Sequence, residues 1–448
     1  MEIRQSRLGD YFVFHAAGRI DNQTSDTFQT ELVAAVTSGN GDLIVDLAQV
    51  EYISSAGFRS LMTAARRKTK EQRVAVVGLN DLLRELFAIA RFHHVMPVFG
   101  SAEDAIAAWE APPPQAQQSS QAAALDAAPL GVYFWGTRGS LPTPVGRQAV
   151  RAKIRDALLM ARERGLPAAD AIDAFIDREL AFSVSGTFGG NTACVEIKTG
   201  GDEYVLCDLG TGIREFGNRM LAQHGPARKA VYNVFMSHVH WDHIMGFPFF
   251  APSYIPGNTI RVHGCHKVLR EALERQQSDP CFPVAFGSLA STIEFIELEP
   301  GTEYQIAGLS VLPIKQFHGG DSFGYRFSRG GKSVVYSTDC EHKTSAIDAS
   351  YPFVDFFRDV DVLIFDAMYS LADTVSVKED WGHSSNMIAV ELAQMAKAKR
   401  LVLFHHEPVF DDRTIERVLA ETVRFEEISR AGHKVEVLSA YDGLELTI

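Results

Sequence analysis

The stretch Ala111–Leu130, APPPQAQQSSQAAALDAAPL, constrains this chain more than any other feature. It is rich in Pro, Ala, Gln and Ser, carries one charged residue and has no aromatic ring, so it has too little large apolar surface to bury a core. Folding must therefore happen on either side of it. The full 448 residues also exceed what one hydrophobic core usually serves. The expectation is a domain over 1–110, a linker over 111–130 and a second domain over 131–448.

Before the linker, Tyr11–His15, Gly41–Asp46 and Val74–Val77 read as short strands, and Thr24–Val36 and Ala56–Arg67 as helices with apolar residues spaced near 3.6. This predicts a small α/β domain. After the linker, apolar strand-like runs dominate, among them Thr192–Ile197, Val231–Met236, Ser333–Ser337, Val362–Phe365 and Arg400–Phe404. Helical patterns between them, such as Gly212–His224 and Arg413–Ala431, predict two packed sheets with helices outside. Residues 147–185 carry helical patterns between two Gly-rich segments, GTRGSLPTP at 136–144 and GGN at 189–191, and read as an insertion. A lid over the site and an oligomer contact are both open readings for it.

Composition removes several classes. No apolar run approaches the roughly 20 residues that cross a bilayer, and Met1–Asp10 is polar, so the expectation is a cytoplasmic protein without a membrane partner. Five cysteines without CxxC spacing argue against a disulfide framework or a thiolate zinc site. A net charge of -13 disfavours long nucleic acids as partners, while a small anionic substrate drawn to a local dication stays compatible with it.

Chemistry concentrates in Ser-His-Val-His-Trp-Asp-His, residues 237–243, directly after the apolar run Val231–Met236. Imidazoles and carboxylates packed this densely at a strand end can converge on one point, and that donor set suits zinc, manganese or iron. Further candidates also stand at strand ends: His318, Asp339 in SVVYSTDC, and His405 after LVLF. Singly, each has an ordinary competitor, as a loop histidine, a helix cap or a core histidine. His405 is preferred over His406 because it comes first after the strand.

HVHWDH resembles the HxHxDH motif of the metallo-β-lactamase superfamily, and CDLGTG at 207–212 resembles that family's Asp-x-Gly turn. His318 in QFHGGDSFGYRF is similar to the histidine preceding a Gly-Tyr-Arg strand in the tRNase Z and cyclic-phosphodiesterase branches. The resemblance implies an αββα sandwich holding two divalent ions, zinc first, with manganese or iron as alternatives. Its ligands would be His238, His240, His318 and Asp339 for one ion, and Asp242, His243, Asp339 and His405 for the other. His383 in WGHSS resembles the non-ligand histidine of the tRNase Z-like branch, and Asp366 in LIFDAMYS falls where that branch has an acidic residue that could orient it. The implied reaction is phosphodiester hydrolysis, with a cyclic nucleotide or other small phosphodiester favoured over RNA. A metal-dependent ester or thioester hydrolase, an RNA-processing nuclease and a non-catalytic di-iron sensor are the alternatives.

The first domain, through GRIDNQT at 18–24 and DLAQVEYISS at 46–55, resembles the STAS domain of anti-sigma-factor antagonists. That resemblance implies a protein partner such as an anti-sigma-like serine kinase. Ser55 takes the position of the phosphorylated serine, although Ser54 replaces the usual aspartate before it; a plain helix cap at Ser55 is the competing reading. A homo-oligomer is also left open.

Overall fold

The computed structural model describes the chain except for residues 22, 39–40, 70–71, 90–91, 93–95, 111–129, 226, 343–349 and 370–380. Most of the expected linker thus lies outside the described residues. The chain forms two compact units, Met1–Gln117 and Gln118–Ile448.

In the first unit, β1 (Glu2–Leu8), β2 (Tyr11–Ile20), β3 (Leu43–Ile53), β4 (Val74–Val77) and β5 (Val98–Phe99) form one sheet in that order. β1 is antiparallel to β2 and the remaining pairs are parallel. The helices Ser25–Ser38 and Ser55–Arg67 cover one face, where Phe14, Phe28, Leu32, Val45 and Leu61 are buried together. One expectation needs correction here. The cap of the second helix is Ser54, whose hydroxyl accepts from the Gly57 amide at 3.4 Å, and Ser55 is the first helical residue. The Ser55 side chain lies outside the described residues.

The second unit is a sandwich of two seven-stranded sheets. One runs β11 (Thr292–Glu297), β10 (Thr259–Gly264), β9 (Val231–Phe235), β8 (Glu203–Cys207), β7 (Cys194–Lys198), β6 (Gly131–Gly136), β19 (Glu445–Thr447). The other runs β12 (Tyr304–Ile306), β13 (Leu309–Gln316), β14 (Ser322–Arg329), β15 (Lys332–Ser337), β16 (Val362–Asp366), β17 (Arg400–Phe404), β18 (Glu436–Ser439). Alternating residues from the two inner faces, among them Phe134, Val195, Phe235, Tyr325, Val402 and Phe404, make the central core. The helix Gly212–His224 packs on the outer face of the first sheet, and the helices Asn386–Met395 and Asp412–Ser429 on that of the second. β11, β12, β13, β18 and β19 escape sequence reading because they are short or interrupted by Pro313 and charges, while β14 is marked only by the Gly-Tyr-Arg resemblance. No helix among the described residues is long and apolar enough to cross a membrane.

The insertion is built from the helices Arg147–Arg164 and Ile172–Glu179 and a short turn of helix, Phe182–Ser185. Its root is pinned where the Lys153 ammonium meets the Asp412 carboxylate at 2.6 Å and the Ser183 hydroxyl donates to Glu416 at 2.6 Å.

The sandwich also buries histidines away from the strand-end cluster. Burial holds His342, stacked on Phe365, down to about 3, and holds His263, stacked on Phe235, down to about 4. Both therefore fold as neutral imidazoles and regain their ordinary basicity on unfolding. Their contribution to stability is present in full above about pH 6.5 and is lost as pH falls through 4 towards 3. Thermal unfolding of metal-free protein should show this unit melting progressively lower between pH 6.5 and 4; a melting point that is flat over that window would contradict it.

Candidate metal centre

β15, β16 and β17 are parallel neighbours, as are β8 and β9, so the carboxyl ends of each set lie side by side. Asp208 follows β8, Ser237–His243 follow β9, His318 follows β13, Asp339 follows β15, Asp366 ends β16 and His405 follows β17. Asp208, Asp339 and His405 adopt left-handed backbone, with φ of 62°, 37° and 60°. Each such residue costs roughly 1–3 kcal/mol, and strain of this kind persists where surrounding structure fixes it.

The side chains meet in neighbouring groups of donors. His238, His240 and His318 form one and Asp242, His243, Asp339 and His405 another; two more bring in His383, with His318 and Asp339 and with Asp366 and His405. Asp339 faces the first two. Its Oδ1 lies 3.2 Å from Nε2 of His243 and 3.2 Å from Nε2 of His405, while its Oδ2 lies 3.5 Å from Nε2 of His238 and 3.8 Å from Nε2 of His318. Asp242 Oδ2 sits 3.1 Å from Nε2 of His405 and 3.2 Å from Nε2 of His243.

A surrounding set of partners decides where the ring protons sit. Asp208 Oδ2 accepts from His243 Nδ1 at 2.7 Å, from the Ser237 hydroxyl at 2.7 Å and from the Tyr336 hydroxyl at 2.7 Å. With its own proton spent on Asp208, Ser237 can only accept from His238 Nδ1, at 3.0 Å. The Gly382 carbonyl accepts from His318 Nδ1 at 2.8 Å. Nε2 of His238, His243 and His318 is thereby left as a lone pair aimed inward. His238 Nε2 is buried with no hydrogen-bond partner, His243 and His405 bring Nε2 atoms within 3.3 Å of each other, and His318 Nε2 lies 3.1 Å from His240 Nδ1. Lone pairs and carboxylates buried against one another repel unless a cation sits among them, so these residues fit divalent metal. Where no ion is bound, positive charge on the imidazoles themselves takes the place of the cation. Burial raises the Asp339 carboxyl, but His405, His243 and His238 outweigh it and hold the group far below the usual carboxylate range.

The loop after β6 closes the cluster from one side. The Ser140 amide donates to Asp242 Oδ2 at 2.7 Å. Gly139 has no room for a side chain, because a Cβ there would stand 2.5 Å from the His405 ring. Asp208, Ser237, Ser140 and Gly382 carry no role in the sequence reading. The Asp-x-Gly turn and the GTRGS segment were the signals available for them, but their partners are distant in sequence.

His383 stands beside the cluster, its ring stacked on His405 at 5.1 Å and 5.2 Å from the His318 ring. Asp366 Oδ2 accepts from His383 Nδ1 at 2.8 Å and is itself fixed by the Cys340 amide at 3.2 Å. Burial lowers the His383 pKa, yet the Asp366 carboxylate more than reverses this, and His383 is pushed up to about 9. The helix that follows is capped by Ser385, which accepts from the Ile388 amide. His406 turns away: its Nε2 donates to the Ala440 carbonyl at 2.8 Å, and its backbone pairs with Thr137 and Gly139. Its contacts tie the end of β17 to the end of β18 and to the loop after β6.

Two family models match the chain: "Beta-lactamase superfamily domain" over residues 203–406, and "Mlab, STAS domain" over residues 3–98. The chain joins a STAS domain to a beta-lactamase superfamily domain. Its STAS domain is similar to the putative anti-sigma factor antagonist BtrV of Bordetella bronchiseptica, at 28% identity over 25% of this chain and 96% of that protein. The beta-lactamase superfamily domain is similar to the ribonuclease Z of Thermoplasma acidophilum, at 24% identity over 48% of this chain and 80% of that one. A solved metallo-beta-lactamase fold protein, YhfI from Bacillus subtilis, is 18% identical, with a TM-score of 0.47 over 71% of this chain and 99% of that chain.

Proposed function

We propose that the beta-lactamase superfamily domain is a dinuclear-metal phosphodiesterase for a cyclic nucleotide or another small phosphodiester, and that the STAS domain targets or gates it. The observation that carries the reading is Asp339, whose two carboxylate oxygens face two separate histidine groups. His238, His240, His318 and Asp339 would hold one ion, and Asp242, His243, Asp339 and His405 the other. Two such ions supply an acidified water and neutralise the charge that builds on phosphoryl oxygens.

The chain's own residues do the rest. Asp208, Ser237 and the Gly382 carbonyl hold three imidazoles in the tautomer that ligates. Ser140 fixes Asp242 through its amide. His383, kept protonated at neutral pH by Asp366, is placed to give its proton to the departing alkoxide as the P–O bond breaks, and so becomes a neutral imidazole. A thioester hydrolase would need the metals but expels a thiolate, which leaves with far less need of that proton; an ester hydrolase would expel an alkoxide and share the need. The similarity to a ribonuclease Z favours a nuclease as the second reading; against it stands the net charge of -13, which repels long polyanions. STAS-domain similarity to an anti-sigma factor antagonist supports a protein partner, with an anti-sigma-like serine kinase as the candidate and Ser55 as its target.

Metal analysis followed by turnover on bis-p-nitrophenyl phosphate, 2′,3′- and 3′,5′-cyclic nucleotides, precursor tRNA, a thioester and a β-lactam separates these readings. Two equivalents of zinc, manganese or iron with turnover confined to small phosphodiesters is the expected result. Cleavage of precursor tRNA alone would replace it with the nuclease reading.

A further inference from the structure

The helix Arg147–Arg164 presents Val150, Ile154 and Leu158, one residue every fourth position, to solvent at 44, 56 and 63% exposure. Apolar side chains in such a row normally mark a face that something covers. Along the same helix, six basic residues stand against two acidic ones, a local charge of +4 in a chain whose net charge is -13. Ile154, Leu158 and Leu159 floor a shallow cavity of about 420 Å³ whose rim is Arg151, Arg155 and Arg162. This surface asks for an apolar ridge flanked by carboxylates.

The second helix of the insertion has that form. Ile172 and Ile176, one turn apart, are exposed, and residues 168–180 carry four acidic groups against one basic group. No residue of the helix Ile172–Glu179 is buried. Within one copy the two helices neutralise each other little: Arg164 pairs with Glu179, while Arg151, Arg155, Asp173 and Asp177 have no ion pair among the described residues. An anionic membrane would be drawn to the arginines but repelled by Asp170, Asp173 and Asp177 beside them.

We infer that the insertion is a self-association surface, in which the basic helix Arg147–Arg164 of one copy receives the acidic helix Ile172–Glu179 of a second copy, and the reverse. A two-fold axis satisfies both contacts at once, because each copy carries both halves. The apolar rows supply the attraction, and the charge pattern fixes which helix meets which. This inference does not depend on the reaction that the metal centre performs.

Sedimentation velocity on the full chain at micromolar concentration tests it. The expected species is a dimer of the 49.4 kDa chain. Arg151→Glu with Arg155→Glu, and separately Asp173→Lys with Asp177→Lys, should each weaken dimerisation by about tenfold or more, since like charges then face each other twice. Mixing the two variants should restore a dimer near wild-type affinity, because every reversed charge in the mixed pair meets an opposite one. Circular dichroism should be unchanged, as all four positions are exposed, and melting should shift no further than loss of the dimer accounts for. A wild-type monomer throughout this range, a dimer indifferent to both reversals, or a monomer that co-sediments with phosphatidylglycerol vesicles would each overturn the inference.

Discussion

Replacing Asp339 with alanine should abolish phosphodiester turnover, by about a thousandfold or more, and should lower the metal content of the purified protein. The reason is positional. One carboxylate oxygen lies 3.2 Å from ring nitrogens of His243 and His405, the other 3.5 Å from that of His238, so removing this side chain withdraws negative charge from both groups together. Asp339→Asn keeps the shape and loses the charge, and should fail nearly as badly. Neither variant should unfold the domain, since metal-free Asp339 is a strained, buried carboxylate with φ of 37°. Metal analysis and turnover measured on the same preparation check this. An Asp339→Ala protein with two bound equivalents and near-full activity would remove the basis for a dinuclear reading.

His383→Ala should separate metal binding from catalysis. Metal content should stay at the wild-type level, because the His383 Nδ1 proton is held by Asp366 at 2.8 Å, which takes that nitrogen out of ligation. Turnover of substrates with alkoxide leaving groups should fall by about 10²–10⁴-fold. The loss should be much smaller for bis-p-nitrophenyl phosphate, whose p-nitrophenolate departs without a proton. The pH profile gives a second handle. Wild-type turnover of an alkoxide substrate should decline as pH rises through about 9, where His383 loses its proton. Asp366→Asn removes the carboxylate that raises His383, so that limb should move to lower pH while metal content is retained. Equal losses on both kinds of substrate would assign His383 to positioning alone.

The alternation of strand-like and helical runs and the donor-dense loop HVHWDH were legible because each is written in neighbouring residues, whereas the αββα arrangement came through family resemblance. A segment of Pro, Gln, Ser and Ala with almost no large apolar side chain cannot build a core, and an apolar run ending in four donors reports on itself. His318, Asp339 and His405 were harder. Each is an unremarkable residue until its strand end is placed beside the others, and only their order along the chain, through family resemblance, suggested that they belong together. Asp208 shows the limit most sharply: CDLGTG was visible as a turn, yet its grip on His243, Ser237 and Tyr336 spans up to 128 positions. The helix cap went wrong by one residue, since Ser54 and Ser55 are chemically the same and only backbone geometry distinguishes them.

Sequence by itself determined which side chains could do chemistry here, because donor type is a property of each residue alone. Tertiary structure decided how they would do it. The parallel ends of β15, β16 and β17 set Asp339, Asp366 and His405 side by side, and three partners buried behind the imidazoles turn their lone pairs inward. The physical reason is that a ring nitrogen becomes a ligand only when something else holds the other proton. Ser237 adjoins His238, but Asp208 and Gly382 lie 35 and 64 residues from the histidines they hold, separations that no local pattern encodes.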